Sequence, residues 1–147
     1  MSENMEKEIR KKEDTEKKKE ALREYLEEKS ELCYWANRVA QLEKLSPYRS
    51  PTASYVPSRS GPADPTESAV ISLEAAKENV KISEERCKES MERVMSIIRT
   101  APKAIHRIVL MRRYIDGLTM EEIGDAEFKG RTWATNTLKA AVESITL

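Results

Sequence analysis

The chain has 147 residues, of which 35% are charged and 5% aromatic. That leaves too little apolar bulk for one compact core of this size, but enough for seams between helices. The 26 basic and 26 acidic side chains cancel, so the whole-chain basic signature of many nucleic-acid binders is missing, and no stretch nears the roughly 20 apolar residues of a membrane span.

Four glycines and six prolines, mostly clustered, leave long helix-permitting stretches, so an all-α protein is expected, soluble and cytoplasmic. Cys33 and Cys87 have no nearby Cys or His partner, which argues against a zinc site or a disulfide; both read as buried small hydrophobes.

Residues 1–45 form a charged N-terminal helix. Residues 3–45 lack Gly and Pro, and acids precede bases by four positions at Glu3 and Lys7, Glu6 and Arg10, Glu13 and Lys17, and Asp14 and Lys18. The first twenty residues offer only Met5 and Ile9 as apolar positions and are expected to project into solvent or fray. From Leu22 a seam begins: Leu22, Tyr25, Lys29, Leu32, Ala36 and Val39, widened by Leu26, Cys33 and Ala40.

Residues 46–67 hold five of the six prolines and many serines, the composition of an extended linker on which Tyr48 and Tyr55 are the only aromatics. Residues 67–100 return to the seam pattern, with Val70, Leu73, Lys77, Val80, Glu84, Cys87, Met91, Val94 and Ile98 at alternating spacings of three and four. Two such helices joined by a linker predict a coiled-coil-like antiparallel hairpin, with a homodimer as the favoured oligomer.

Residues 101–147 predict three short helices. The first follows Ala101-Pro102, turns Ile105, Ile108, Val109, Met111 and Ile115 inward and ends at Asp116-Gly117, where Gly can take a left-handed conformation. Thr119 with Glu122 forms a capping box for the second, Leu118 and Ile123 a hydrophobic staple, and Gly124 leaves room for a close neighbour. A break at Phe128-Lys129-Gly130 precedes the last helix, from about Arg131 to Ile145, with Ala134, Leu138, Ala141, Val142 and Ile145 inward and Trp133 partly buried.

This order is that of a helix-turn-helix DNA-binding domain, in which the outward side chains early in the second helix meet base edges. Here they are Arg131, Thr132, Thr135, Asn136 and Lys139; Arg suits guanine, Asn adenine, and Thr either bases or phosphate. Upstream, Arg99, Lys103, Arg107, Arg112 and Arg113 occur with no acid between them, and residues 99–147 are the only net-positive third, so Arg107, Arg112 and Arg113 are expected to grip phosphate. His106 is assigned a structural or phosphate-facing role. Without a Gly-rich phosphate loop, paired-carboxylate motif or nucleophile setting, no enzyme, cofactor or metal is expected.

The segment LMRRYIDGLTMEEIG, residues 110–124, resembles the sigma-factor region-4-like helix-turn-helix of phage-encoded regulators of the RinA and ArpU type. Arg113-Tyr114-Ile115, Gly117-Leu118-Thr119, Glu121-Glu122-Ile123, Arg131, Trp133, Ala141, Val142 and Ile145 carry the resemblance over about 35 residues. Phe128 stands where that family has a turn Gly, and Gly130 where a Ser or Thr caps the recognition helix.

The resemblance implies a transcriptional regulator in a bacterial host cell that reads promoter double-stranded DNA with its last helix, with bacterial RNA polymerase as a further partner. Because that helix carries only Arg131 and Lys139, a single copy should bind weakly. Two alternatives stand beside this reading: a small terminase-like packaging protein, and a helical protein that captures a host factor without binding DNA.

Overall fold

The computed structural model describes residues 2–44 and 65–147, with side chains from 72 onward in the second stretch; within these residues the protein is all-α. The helices are α1 (Ser2–Lys44), α2 (Pro65–Ile98), α3 (Ala104–Tyr114), α4 (Met120–Ala126) and α5 (Arg131–Ser144). Linker residues 46–64, with Tyr48 and Tyr55, and the side chain of Val70 lie outside the described residues. No helix among those described is long and apolar enough to cross a membrane.

The chain divides into two compact units, residues 29–87 and residues 1–28 with 88–147. The helix-turn-helix therefore shares a unit with parts of both long helices, whereas the sequence suggested a domain boundary near Ala101. Ala101 is itself buried in the apolar cluster that joins them.

In the 29–87 unit the two helices run antiparallel, with Arg86 3.8 Å from Glu31 and Leu42 sharing a cleft with Ser72 and Ala76. The seam on α1 consists of Leu32, Trp35, Val39 and Leu42, while Ala36 and Lys29 are exposed. On α2 the buried positions are Ala76, Ser83 and Cys87, while Lys77 and Glu84 face outward. The expected interruptions of the seam are thus surface residues, and on α2 the small Ala76 and Ser83 take their places one position earlier. Cys33 is exposed, contrary to the expectation that both cysteines are buried; it lies beside Leu32 but off the contact face.

In the other unit, Ser90, Val94 and Ile98 of α2 are buried, and Met91, expected in the seam, is 39% exposed. Arg93 grips Glu24 of α1 through Nε, at 3.1 Å, and through Nη2. Leu22 and Val94 are fully buried in one cluster with Ile98, Leu110, Tyr114, Ala141, Val142 and Ile145, onto which Tyr25 packs. Burying a Leu or Ile of this kind contributes about 2 kcal/mol.

A second cluster, Val109, Ile123 and Ala134 with Leu118, Trp133 and others packed on it, is internal to the helix-turn-helix. Because α3 lies between the two, its core positions are Val109 on one side and Leu110 and Tyr114 on the other. The expected Ile105, Ile108, Met111 and Ile115 are only partly buried. Burial pushes the Tyr114 hydroxyl above its usual pKa, against the nearby charges of Arg23 and Arg113.

The first half of α1 is helical throughout and mostly exposed, as its composition predicts. It does not simply project into solvent, since Lys18 Nζ donates to the Glu143 carbonyl at 3.2 Å and also pairs with Asp14 at 3.3 Å. This is a polar contact between residues 125 positions apart, invisible to any search for an apolar stripe.

Ser90 is completely buried where α1 and α2 approach, so its small size is a packing requirement. Ser90→Leu should destabilise the protein by about 1–3 kcal/mol in chemical denaturation, and Ser90→Ala by much less. Equal stability of the two variants would contradict the observed seam register.

Candidate nucleic-acid interface

Local chemistry fixes each end of the helix-turn-helix. After α3, Gly117 adopts φ 73°, a left-handed conformation that costs glycine little, and the Leu118 amide donates back to the Arg112 carbonyl at 3.0 Å. The α4 capping box is formed as read from sequence: the Glu122 amide donates to Thr119 Oγ1, and the Thr119 amide to Glu122 Oε1, both at 3.2 Å. Leu118 and Ile123 belong to one apolar cluster, as a staple requires.

The turn between α4 and α5 is a Schellman motif. The Phe128 amide donates to the Asp125 carbonyl at 3.2 Å and the Lys129 amide to the Gly124 carbonyl at 2.7 Å, satisfying carbonyls at the end of α4. The first of these two donors must be left-handed, and Phe128 is, at φ 57°. Phe128 thus adopts the backbone conformation for which a Gly is usual, at a steric cost of about 1–2 kcal/mol. Its ring is 95% exposed and offsets none of this by burial.

Gly124 is required for a different reason. A Cβ there would lie 2.7 Å from the Gly130 carbonyl oxygen and 2.9 Å from that of Lys129. The close neighbour anticipated from sequence is therefore the turn backbone at the start of α5. Gly130 precedes α5 with no side-chain cap, leaving the first amides of that helix without a side-chain acceptor.

Arg131, Thr132, Thr135, Asn136 and Lys139 are all exposed, and at 100° per residue they occupy an arc of about 140° on α5. Ala134 and Ala141 are buried on the other side, Val142 is buried beyond Lys139 near the C-terminal end of the same arc, and Trp133 is partly buried against the inner cluster. Thr135 Oγ1 donates to the Arg131 carbonyl at 3.0 Å. The structure thus brings the five α5 residues named from sequence onto one solvent-facing surface.

The three α3 arginines have intramolecular work. Arg107 Nη1 donates to the Ala101 and Pro102 carbonyls at 2.7 and 3.1 Å, which holds the bend between α2 and α3. Arg112 Nε bonds Glu127 at 3.1 Å, tying α3 to the end of α4, and Arg113 Nη1 donates to the Leu118 carbonyl at 2.9 Å. Each guanidinium keeps further donors; Arg99 and Lys103 are exposed.

His106 is partly buried, and its Nδ1 is enclosed without a hydrogen-bond partner. Among the described residues no group of three or more His, Cys, Asp or Glu side chains is placed to hold a metal ion.

Sequence reasoning missed the contribution of α1. Thr15 and Lys19 of α1 line a cleft together with Thr135 and Lys139 of the α5 face, and Arg23 lines the adjoining one. The only signal was the density of lysines between Lys11 and Lys19, which reads equally well as a solvated helix face.

Comparison with known proteins gives no match: no family model, curated protein or solved structure is significantly similar to this chain.

The turn geometry sets opposite expectations for two neighbouring positions. Phe128→Gly should raise stability by about 0.5–1 kcal/mol, the relieved strain outweighing the added chain entropy. Gly124→Ala should lower it by about 2 kcal/mol or more, because backbone has to move. Thermal melts of the two variants check both signs, and a destabilised Phe128→Gly variant would contradict the left-handed turn.

Proposed function

We propose that the protein is a DNA-binding regulator of transcription that reads double-stranded promoter DNA with α5. The observation that carries this reading is the exposed α5 face bearing Arg131, Thr132, Thr135, Asn136 and Lys139, presented behind a capped helix and a tight turn. An α-helix fits the major groove, where Arg pairs bidentately with guanine and Asn with adenine. The first amides of α5, free of any side-chain cap, suit a phosphate oxygen at the groove edge.

The resemblance of residues 110–124 to phage regulators of the RinA and ArpU type supports a role in phage gene control within a bacterial host. Only two cations stand on the reading face, so a second copy of the chain or bacterial RNA polymerase is proposed to add affinity.

Selection of bound duplexes from a random library should yield a defined motif. Arg131→Ala or Asn136→Ala should each cost about 1–3 kcal/mol on that motif and relax preference at one base pair. Failure to enrich any sequence, or a preference that survives both substitutions, would overturn the assignment.

A further inference from the structure

We infer that α1 is part of the nucleic-acid surface: Lys19 and Arg23, together with Arg113 and Lys139, line a carboxylate-free groove that receives phosphate oxygens of the DNA strand flanking α5. The inference rests on the function proposed above and assigns the phosphate grip that function requires.

Two adjoining clefts form the groove. One, of 340 Å³, is lined by Lys19, Arg23 and Arg113 over a floor that includes Tyr114 and Met120; the other, of 280 Å³, is lined by Thr15, Lys19, Thr135 and Lys139 over Tyr114 and Leu138. No Asp or Glu lines either cleft. Glu8, Glu16 and Glu143 line a third cleft, with Lys11, Lys12, Lys19 and Lys139, toward the start of α1.

Glu16, Glu20 and Glu24 interleave with these cations along α1, but none of them lines the two clefts beside the α3–α4 turn and the α5 reading face. Thr135 and Lys139 belong both to that face and to the groove, which makes the two surfaces continuous.

The cations are positioned by packing rather than by one another. Leu22, three residues beyond Lys19 and next to Arg23, is fully buried in the main cluster and fixes this turn of α1 against α3 and α5. Lys19 has one ion pair, with Glu16 at 3.7 Å, and both side chains are solvent-accessible, so it competes weakly with a phosphate. Arg113 uses Nη1 on the Leu118 carbonyl and retains its other donors. A Lys point charge and an Arg fork at the rim of a largely apolar floor match a phosphodiester, which offers acceptors only.

Binding of the full-length chain to a labelled random-sequence duplex of about 30 bp, followed by fluorescence anisotropy over about 50–200 mM salt, tests this. Each phosphate neutralised contributes about 0.9 to the slope of log affinity against log salt, so Lys19→Gln with Arg23→Gln should flatten the slope by nearly 2. The same variant should keep the rank order of selected sequences.

Lys19→Arg with Arg23→Lys should retain the wild-type slope. Lys77→Gln with Lys81→Gln, an equal charge loss on exposed positions of the 29–87 unit, should leave it unchanged. A wild-type slope in the Lys19/Arg23 glutamine variant, or equal flattening by the Lys77/Lys81 variant, overturns this inference and leaves the proposed function standing. Absence of salt-dependent duplex binding by the wild type overturns both.

Discussion

The architecture of the helix-turn-helix unit depends on the apolar contact that seats α3 and α5 against the long helices. Leu22 from α1, Val94 and Ile98 from α2, Leu110 and Tyr114 from α3, and Val142 from α5 meet in one buried cluster with Ile145 just beyond it. Helices of 7 and 11 residues such as α4 and α3 have little stability of their own. Their own inner cluster adds only Val109, Ile123 and Ala134 as fully buried residues. Leu138 packs on both clusters, so α5 is held from two sides, and its outward face is fixed by residues more than a hundred positions earlier in the chain.

That seating accounts for how the unit distributes its charge. The α3 arginines lie where the chain reverses, and their guanidinium groups satisfy carbonyls of the two bends and the Glu127 carboxylate. Such donors stiffen turns that have few other partners, and each guanidinium keeps further donors besides. Lys19 of α1, carried on a helix whose backbone is already satisfied, makes only a solvent-accessible pair with Glu16. In the proposed function, recognition and phosphate binding thus come from different parts of the chain, brought together by the buried cluster.

Features set by a few neighbouring residues were legible in the sequence. The Thr119–Glu122 box, the left-handed Gly117, the inward residues of α5 and its five outward polar residues follow from local rules that tertiary packing did not override. Phe128 was recognised as a residue in the place of a Gly, but only the Schellman hydrogen bonds show that it takes the left-handed conformation itself.

The long seams were read one position out of register on much of α2. Hydrophobicity favours Met91 over Ser90, whereas close approach of two helices favours the smaller side chain, and Ser83 and Ala76 repeat the pattern. Lys29 and Ala36 were likewise placed in the α1 seam, where Leu32, Trp35 and Leu42 supply the contact. The contact of α1 upstream of Leu22 with the end of α5 left no apolar signal, because it is a lysine on a backbone carbonyl.

Native-state hydrogen exchange on the full chain, with and without Leu22→Ala, shows whether the helix-turn-helix is stabilised as one unit with the base of the long helices. Removing this side chain should cost about 2–5 kcal/mol. The most protected amides of α3 and α5 should lose protection by the same amount as those of α1 around residue 22. Unchanged protection in α3 and α5 alongside a loss confined to α1 would contradict a single unit.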